Sequence, residues 1–167
     1  MRPAGVAVCK RSEATDGSPR AVARSFVDSP AVRTIPPDHT FSMRLRVTQE
    51  MTARFFDCTI HPVYATFALV EHGEYAARQA ILPFLEADED AVGSFVELEH
   101  TAATPVGWIV TITARVVEVD GRTITCEIVA EHGEGIIARG LQRQRVVSKE
   151  KLRRSIAELA SRAGTEQ

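Results

Sequence analysis

The stretch A-T-F-A-L-V-E-H-G-E-Y-A-A-R-Q-A-I-L-P, Ala65 to Pro83, decides how the rest of the chain is read. It is rich in alanine and has no proline before Pro83, so it predicts one helix of about four to five turns over Ala65–Leu82. Phe67, Ala68, Leu69, Val70, Tyr75, Ala76, Ala77, Ala80 and Ile81 cover most of its circumference. A helix with so narrow a polar strip is enclosed by other elements. Gly73 costs roughly 1 kcal/mol relative to Ala in a helix interior. With Ala76, Ala77 and Ala80 it lets a sheet approach the axis closely.

On the N-terminal side, Phe41, Met43, Leu45 and Val47 alternate with Ser42, Arg44, Arg46 and Thr48, the period of a half-buried strand. Gln49–Phe56 is expected to form one or two helical turns. Asp57–Tyr64, with Pro62, is expected to be a loop. On the C-terminal side, the acidic run Glu86–Asp90 reads as a solvated loop. Strands are expected over Gly93–His100, Trp108–Val119, Arg122–Glu131 and Ile136–Val147. Trp108, Val110, Ile112, Ala114 and Val116 share one face, as do Ile124, Cys126, Ile128 and Ala130. Asp120-Gly121 marks a tight hairpin, and His132-Gly133-Glu134-Gly135 marks another turn. The Q-R-Q-R segment at 142–145 suits a sheet edge or a ligand-facing end. Ser148 can cap a final amphipathic helix striped by Leu152, Ile156 and Leu159. Strand, buried helix, then four hairpin-linked strands gives an α+β architecture: one curved antiparallel sheet wrapped round one helix, the hotdog fold. Its open edges predict a homodimer.

The chain has 167 residues, 44% hydrophobic, with a net charge of −2 and a pI near 6.2. That is enough for one domain with a sizeable core, placed at 37–150. An Arg-, Ser- and Pro-rich tail (1–36) reads as disordered, and a helical segment (151–167) follows the domain. Charge of this kind excludes a basic nucleic-acid binder. No apolar run reaches the ~18 residues of a membrane span, and the N-terminus lacks a signal-peptide core. Cys9, Cys58 and Cys126 are too scattered for a disulfide framework or a zinc site. A cytoplasmic protein without metal is expected.

Glu74 stands mid-helix among Ala, Gly, Tyr and Val. It is either a buried carboxylate that needs partners or part of the exposed strip, paired with Arg78 four residues on. Glu71 and His72 compete with it for a chemical role. His100 ends a strand, where most histidines are merely solvated. His39, His61 and His132 fall in expected loops. Thr66 by itself is a helix-start residue. Arg44, Arg46, Arg143 and Arg145 are candidate phosphate contacts, though charged strand faces are usually just solvated.

Ala65-Thr66, Glu74 eight residues further on, Gly93, and the string His100-Thr-Ala-Ala-Thr-Pro-Val-Gly107 resemble the fluoroacetyl-CoA thioesterase group of hotdog enzymes. The likeness covers roughly residues 41–150, and its most specific part is the string at 100–107. It implies an acyl-CoA thioester as substrate and a Thr, a Glu and a His as the catalytic set: Thr66, Glu74 and His100. It also implies a glycine near the acyl group, here Gly93. Two positions depart from it. Aromatic lid residues of the fluoroacetyl-specific member are replaced by Asp57 and Ile60. An arginine near the product carboxylate is replaced by Gln144, flanked by Arg143 and Arg145. These departures speak against fluoroacetyl specificity and leave thioester hydrolysis in place.

The implied reaction releases a short or modified acyl group from CoA or an acyl carrier protein, with CoA entering only as substrate and no other cofactor. Glu74 attacks the carbonyl or activates water, and His100 assists. Thr66 and Glu74 in one straight helix would be about 12 Å apart. Either Thr66 lies on a loop that folds back, or two subunits share the site. Two alternatives use the same fold: a non-catalytic acyl-thioester sensor, and a hydratase or dehydratase using Asp57 with His61.

Overall fold

The computed structural model describes residues 34–55 and 58–163. Most of the expected tail at 1–36, together with Asp57, lies outside the described residues. The elements in chain order are β1 (Thr40–Arg46), a short 3-10 turn (Gln49–Met51), β2 (Thr52–Phe55), β3 (Cys58–Tyr64), α1 (Thr66–Ile81), a second 3-10 turn (Leu82–Phe84), β4 (Glu89–His100), β5 (Ile109–Asp120), β6 (Thr123–His132), β7 (Gly135–Ser148) and α2 (Lys149–Ala163).

Five strands form one antiparallel sheet in the order β1-β5-β6-β7-β4. Its inner face is the expected alternation: Val110, Ile112, Ala114 and Val116 on β5 and Ile124, Cys126, Ile128 and Ala130 on β6 are all buried. Helix α1 lies across this face and buries Ala68, Leu69, Gly73, Ala76, Ala77, Ala80 and Ile81. The small residues do set the approach, since a Cβ on Gly73 would stand 3.3 Å from Ile128 Cγ2. The outer face carries polar pairs, with Ser42 and Thr113 hydroxyls 2.8 Å apart and Arg115 bridging Asp38 and Glu127. This is the hotdog arrangement. Ser148 caps α2 as expected, its hydroxyl accepting from Lys151 N–H at 3.4 Å.

Several local expectations are corrected. The expected helical turns are confined to the 3-10 turn at Gln49–Met51; Thr52–Phe55 and Cys58–Tyr64 pair as antiparallel strands, β2 with β3, in place of further helix and a loop. Pro62 is accommodated because register breaks interrupt this two-stranded ribbon between Thr52 and Arg54, so its missing N–H costs no regular ladder bond. Glu89 and Asp90 belong to β4 and not to a solvated loop; Arg122 and Arg78 neutralise them at 2.7 and 2.6 Å. Trp108 precedes β5 and sits half-exposed against His132 rather than on the core face. The Q-R-Q-R segment is not at an edge. β7 runs between β6 and β4, and Gln142 and Gln144 are buried. The true edges are β1 and β4.

Candidate active site

Two small clusters form on α1. The first lies at its start. Ala65 precedes the first turn in extended conformation and contributes no side-chain cap, so Thr66 is the first helical residue. Its hydroxyl lies 3.1 Å from His100 Nδ1, and His100 Nε2 lies 3.0 Å from the carbonyl oxygen of Ala102. A carbonyl only accepts, so Nε2 carries the imidazole proton. Nδ1 is then free to accept, and the Thr66 hydroxyl donates to it. Hydroxyl, base and orienting acceptor stand in line, the layout that activates a hydroxyl or a water in its place.

The string after His100 is held by the rest of the fold. Thr101 N–H donates to Ile137 O at 2.8 Å, Tyr64 N–H to Thr104 O at 2.8 Å, and Val63 bridges Pro105. Small residues let the loop lie flat against β3 and β7. Leu69 N–H is the first to close a helical bond, on Ala65 O at 3.0 Å. The N–H groups of Thr66, Phe67 and Ala68 are therefore the orphan donors of α1, beside the Thr66 hydroxyl and at the positive end of the helix dipole.

The second cluster lies two turns on. Glu74 is exposed, and its carboxylate stands against Gly93 of β4: a Cβ there would meet Glu74 Oε1 at 2.4 Å. Glycine is what allows the carboxyl to touch the sheet. Arg78 does not pair with Glu74. It donates to the Ala91 carbonyl and to Asp90 Oδ1, the latter at 2.6 Å. Among the described residues no hydrogen bond or ion pair holds the Glu74 carboxylate.

Gly93 and His100 are seven residues apart, so in a regular strand they would face opposite sides. The register break between Gly93 and Phe95 inserts one residue, and both then face α1. Gln144 is the cross-strand neighbour of Gly93 on this inner face. It is fully buried and donates to Gln142 Oε1 at 3.1 Å.

The other sequence-derived candidates are not gathered here. Arg143 and Arg145 alternate with the buried glutamines and so lie on the outer face, Arg143 stacked on Phe95 at 4.9 Å. Ile60 is on β3 and exposed. Glu71 and His61 are exposed too. His72 is half-buried and bonded to Tyr64. Arg46 donates to Gly107 O at 2.6 Å, and Arg44 lines an outer-face groove of about 560 Å³ with Trp108, Glu131 and His132. Among the described residues no group of three or more His, Cys, Asp or Glu could hold a metal, and no helix is long and apolar enough to cross a membrane. The Ala102 carbonyl was missed at the sequence level, as any backbone acceptor must be.

Fold and clusters together define a hotdog domain of the thioesterase superfamily. A Thermus thermophilus protein of that superfamily superimposes with a TM-score of 0.78 at 36% identity, covering 80% of this chain and 99% of the other. Residues 47–150 match the family described as fluoroacetyl-CoA-specific thioesterase (FlK), and the chain belongs to that family. The fluoroacetyl-CoA thioesterase of Streptantibioticus cattleyicolor is 37% identical over 89 residues, which span 53% of this chain and 64% of that enzyme. The crystal structure of a single-residue mutant of FlK in complex with fluoroacetate and CoA superimposes with a TM-score of 0.66 at 31% identity, over 70% of this chain and 98% of that one.

Proposed function

We propose that this protein hydrolyses a short acyl-CoA thioester to free acid and CoA, as a homodimer whose sites are shared between subunits. The observation that carries this reading is the placement of Thr66 and Glu74. Both lie in the one helix α1, eight residues and about 12 Å apart. Thr66 is helical, so no loop folds it back toward Glu74. A single subunit holds two half-sites.

The free edge of β4 supplies a way to join them. Gly93 and His100 flank Val96–Glu97, and Phe95 and Val96 are 40% and 43% exposed there. Antiparallel pairing of this edge with its copy, about a two-fold axis near Val96–Glu97, brings His100 level with the partner's Gly93 and hence with the partner's Glu74. Phe67 and Tyr75, each about half exposed and next in sequence to Thr66 and Glu74 on α1, offer apolar surface that such pairing could cover. In the assembled site the thioester carbonyl lies between the partner's Glu74, as nucleophile or as base for water, and the Thr66–His100 pair. The orphan N–H groups at the α1 start take the developing oxyanion. No cofactor enters. Ile60 and Gln144 stand where the fluoroacetyl-specific pattern has other residues, so the acyl group is short but is not assigned to fluoroacetate. An acyl carrier protein in place of CoA would present the same thioester to the same groups.

The test is thiol release from a panel of acyl-CoAs. Steady production of free CoA supports hydrolysis, whereas binding without release indicates a sensor. Mixing Glu74→Ala with His100→Ala subunits should restore about a quarter of wild-type activity, because half the dimers are mixed and each of those has one intact site. Two inactive variants that never complement would exclude the shared site.

A further inference from the structure

β3 runs into α1 with only Ala65 between them, so the exit angle of the helix determines where Thr66 sits. That angle is held by Tyr64. Its ring is buried, its N–H donates to Thr104 O at 2.8 Å, and the next N–H, of Ala65, donates to Met51 O at 2.8 Å. The Tyr64 hydroxyl lies 2.6 Å from His72 Nδ1, with the two rings stacked at a centroid distance of 5.8 Å. Burial raises the phenol's pKa, and the charge of Glu71 adds to this. Burial lowers that of His72, against the opposing effect of Glu71. The phenol therefore keeps its proton and the imidazole is neutral, so the hydroxyl donates to Nδ1.

This bond spans the first two turns of α1, and Thr66 lies inside the span. The same Tyr64 backbone is tied to Thr104, in the loop whose Ala102 carbonyl orients His100. Tyr64 is thus where the helix bearing Thr66 and the loop bearing His100 are joined. We infer that Tyr64 and His72 are positioning residues: their hydrogen bond holds the Thr66 hydroxyl against His100 Nδ1. The inference rests on the proposed role of the Thr66–His100 pair for its kinetic consequence, but not for its structural one.

The experiment is a double-mutant cycle read in two ways. Tyr64→Phe keeps the ring and removes the bond. It should lower kcat about tenfold with KM little changed, and should change kcat less than twofold in a Thr66→Ala background, while the loss in Tm is the same in both. His72→Leu should reproduce the kinetic loss. His72→Asn, which keeps an acceptor near the Nδ1 position, should recover most of it. Histidine ¹⁵N spectra give the second readout: the His100 Nδ1 resonance should move toward that of an unbonded acceptor in Tyr64→Phe. An unmoved resonance, or an equal fold loss of kcat with and without Thr66, overturns the inference. A moved resonance with unchanged kcat keeps the positioning role and refutes instead the catalytic role given to Thr66.

Discussion

The start and the middle of α1 present their polar groups very differently. At the start, Thr66 is bonded to His100, His100 to Ala102, and the surrounding loop to β3 and β7. Two turns on, the Glu74 carboxylate lies against Gly93, with no hydrogen bond or ion pair among the described residues. A group that is already bonded is pre-organised within the single chain. An unbonded carboxylate is either irrelevant or waiting for what the single chain does not supply. Arg78, the obvious partner, is taken by Asp90. The difference teaches that the Thr66–His100 pair is organised within the subunit, whereas Glu74 is not, and the proposed shared site is the reading that gives Glu74 a counterpart.

The sharpest way to break this contrast is Glu74→Gln. A carboxylate with no partner in the subunit contributes little to its stability, so Tm should be nearly unchanged. Loss of a base or nucleophile should cut kcat by roughly 10²–10⁴-fold. Near wild-type turnover in the thiol-release assay would return Glu74 to the role of a solvated surface residue.

Next in size is the contrast between two glycines of the β4–β7 pair. A Cβ on Gly93 meets the far end of a flexible side chain, Glu74 Oε1 at 2.4 Å. Gly93→Ala should therefore fold normally yet displace the carboxylate by about 1 Å, with a loss of up to roughly 10²-fold in activity. A Cβ on Gly140 meets backbone instead, Glu97 O at 2.0 Å and Leu98 Cα at 2.8 Å. Gly140→Ala has to move β4 itself and should destabilise by about 1–3 kcal/mol, read from chemical denaturation. Equal stability losses in the two variants would contradict the different surroundings of the two positions.

The smallest effect is on pH dependence. Burial holds the folded-state pKa of His72 below its ordinary 6.5. Between those two values the unfolded chain binds a proton that the folded chain resists. The stabilising contribution is therefore full above pH 6.5 and is lost as pH falls from there through the folded value. Tm should fall more steeply on acidification in wild type than in His72→Asn. Parallel pH profiles would mean that the His72 environment is not what sets the slope.

Much of this was legible locally. The 3.6-residue period and small residues of 65–82 gave the enclosed helix, and the period-2 strands gave the sheet face. Asp120-Gly121 gave its hairpin, with Gly121 at φ 55°, where glycine is preferred. Pro62 misled, because a proline at an irregular two-stranded ribbon costs less than one in a regular ladder. Gln142 and Gln144 misled because burial on β7 depends on which strands flank it, and nothing in Q-R-Q-R reports its neighbours. Leaving Gln142 Nε2 and Gln144 Oε1 without protein partners is an arrangement no local rule would favour.

For the candidate site the division is similar. The residues themselves offered Glu74 and His100 as candidates, the family resemblance added Thr66 and Gly93, and helix geometry left two ways to join Thr66 with Glu74, a loop that folds back or a second subunit. The tertiary structure decided which groups meet. Asp90 outcompetes Glu74 for Arg78 because β4 brings it within 2.6 Å. His100 reaches Thr66 because the sheet carries the end of β4 to the start of α1, and one irregular residue near Gly93 turns both Gly93 and His100 toward the helix. Periodicity is a property of a segment and can be read from it. Contact is a property of two segments, fixed by strand order and register that neither one contains.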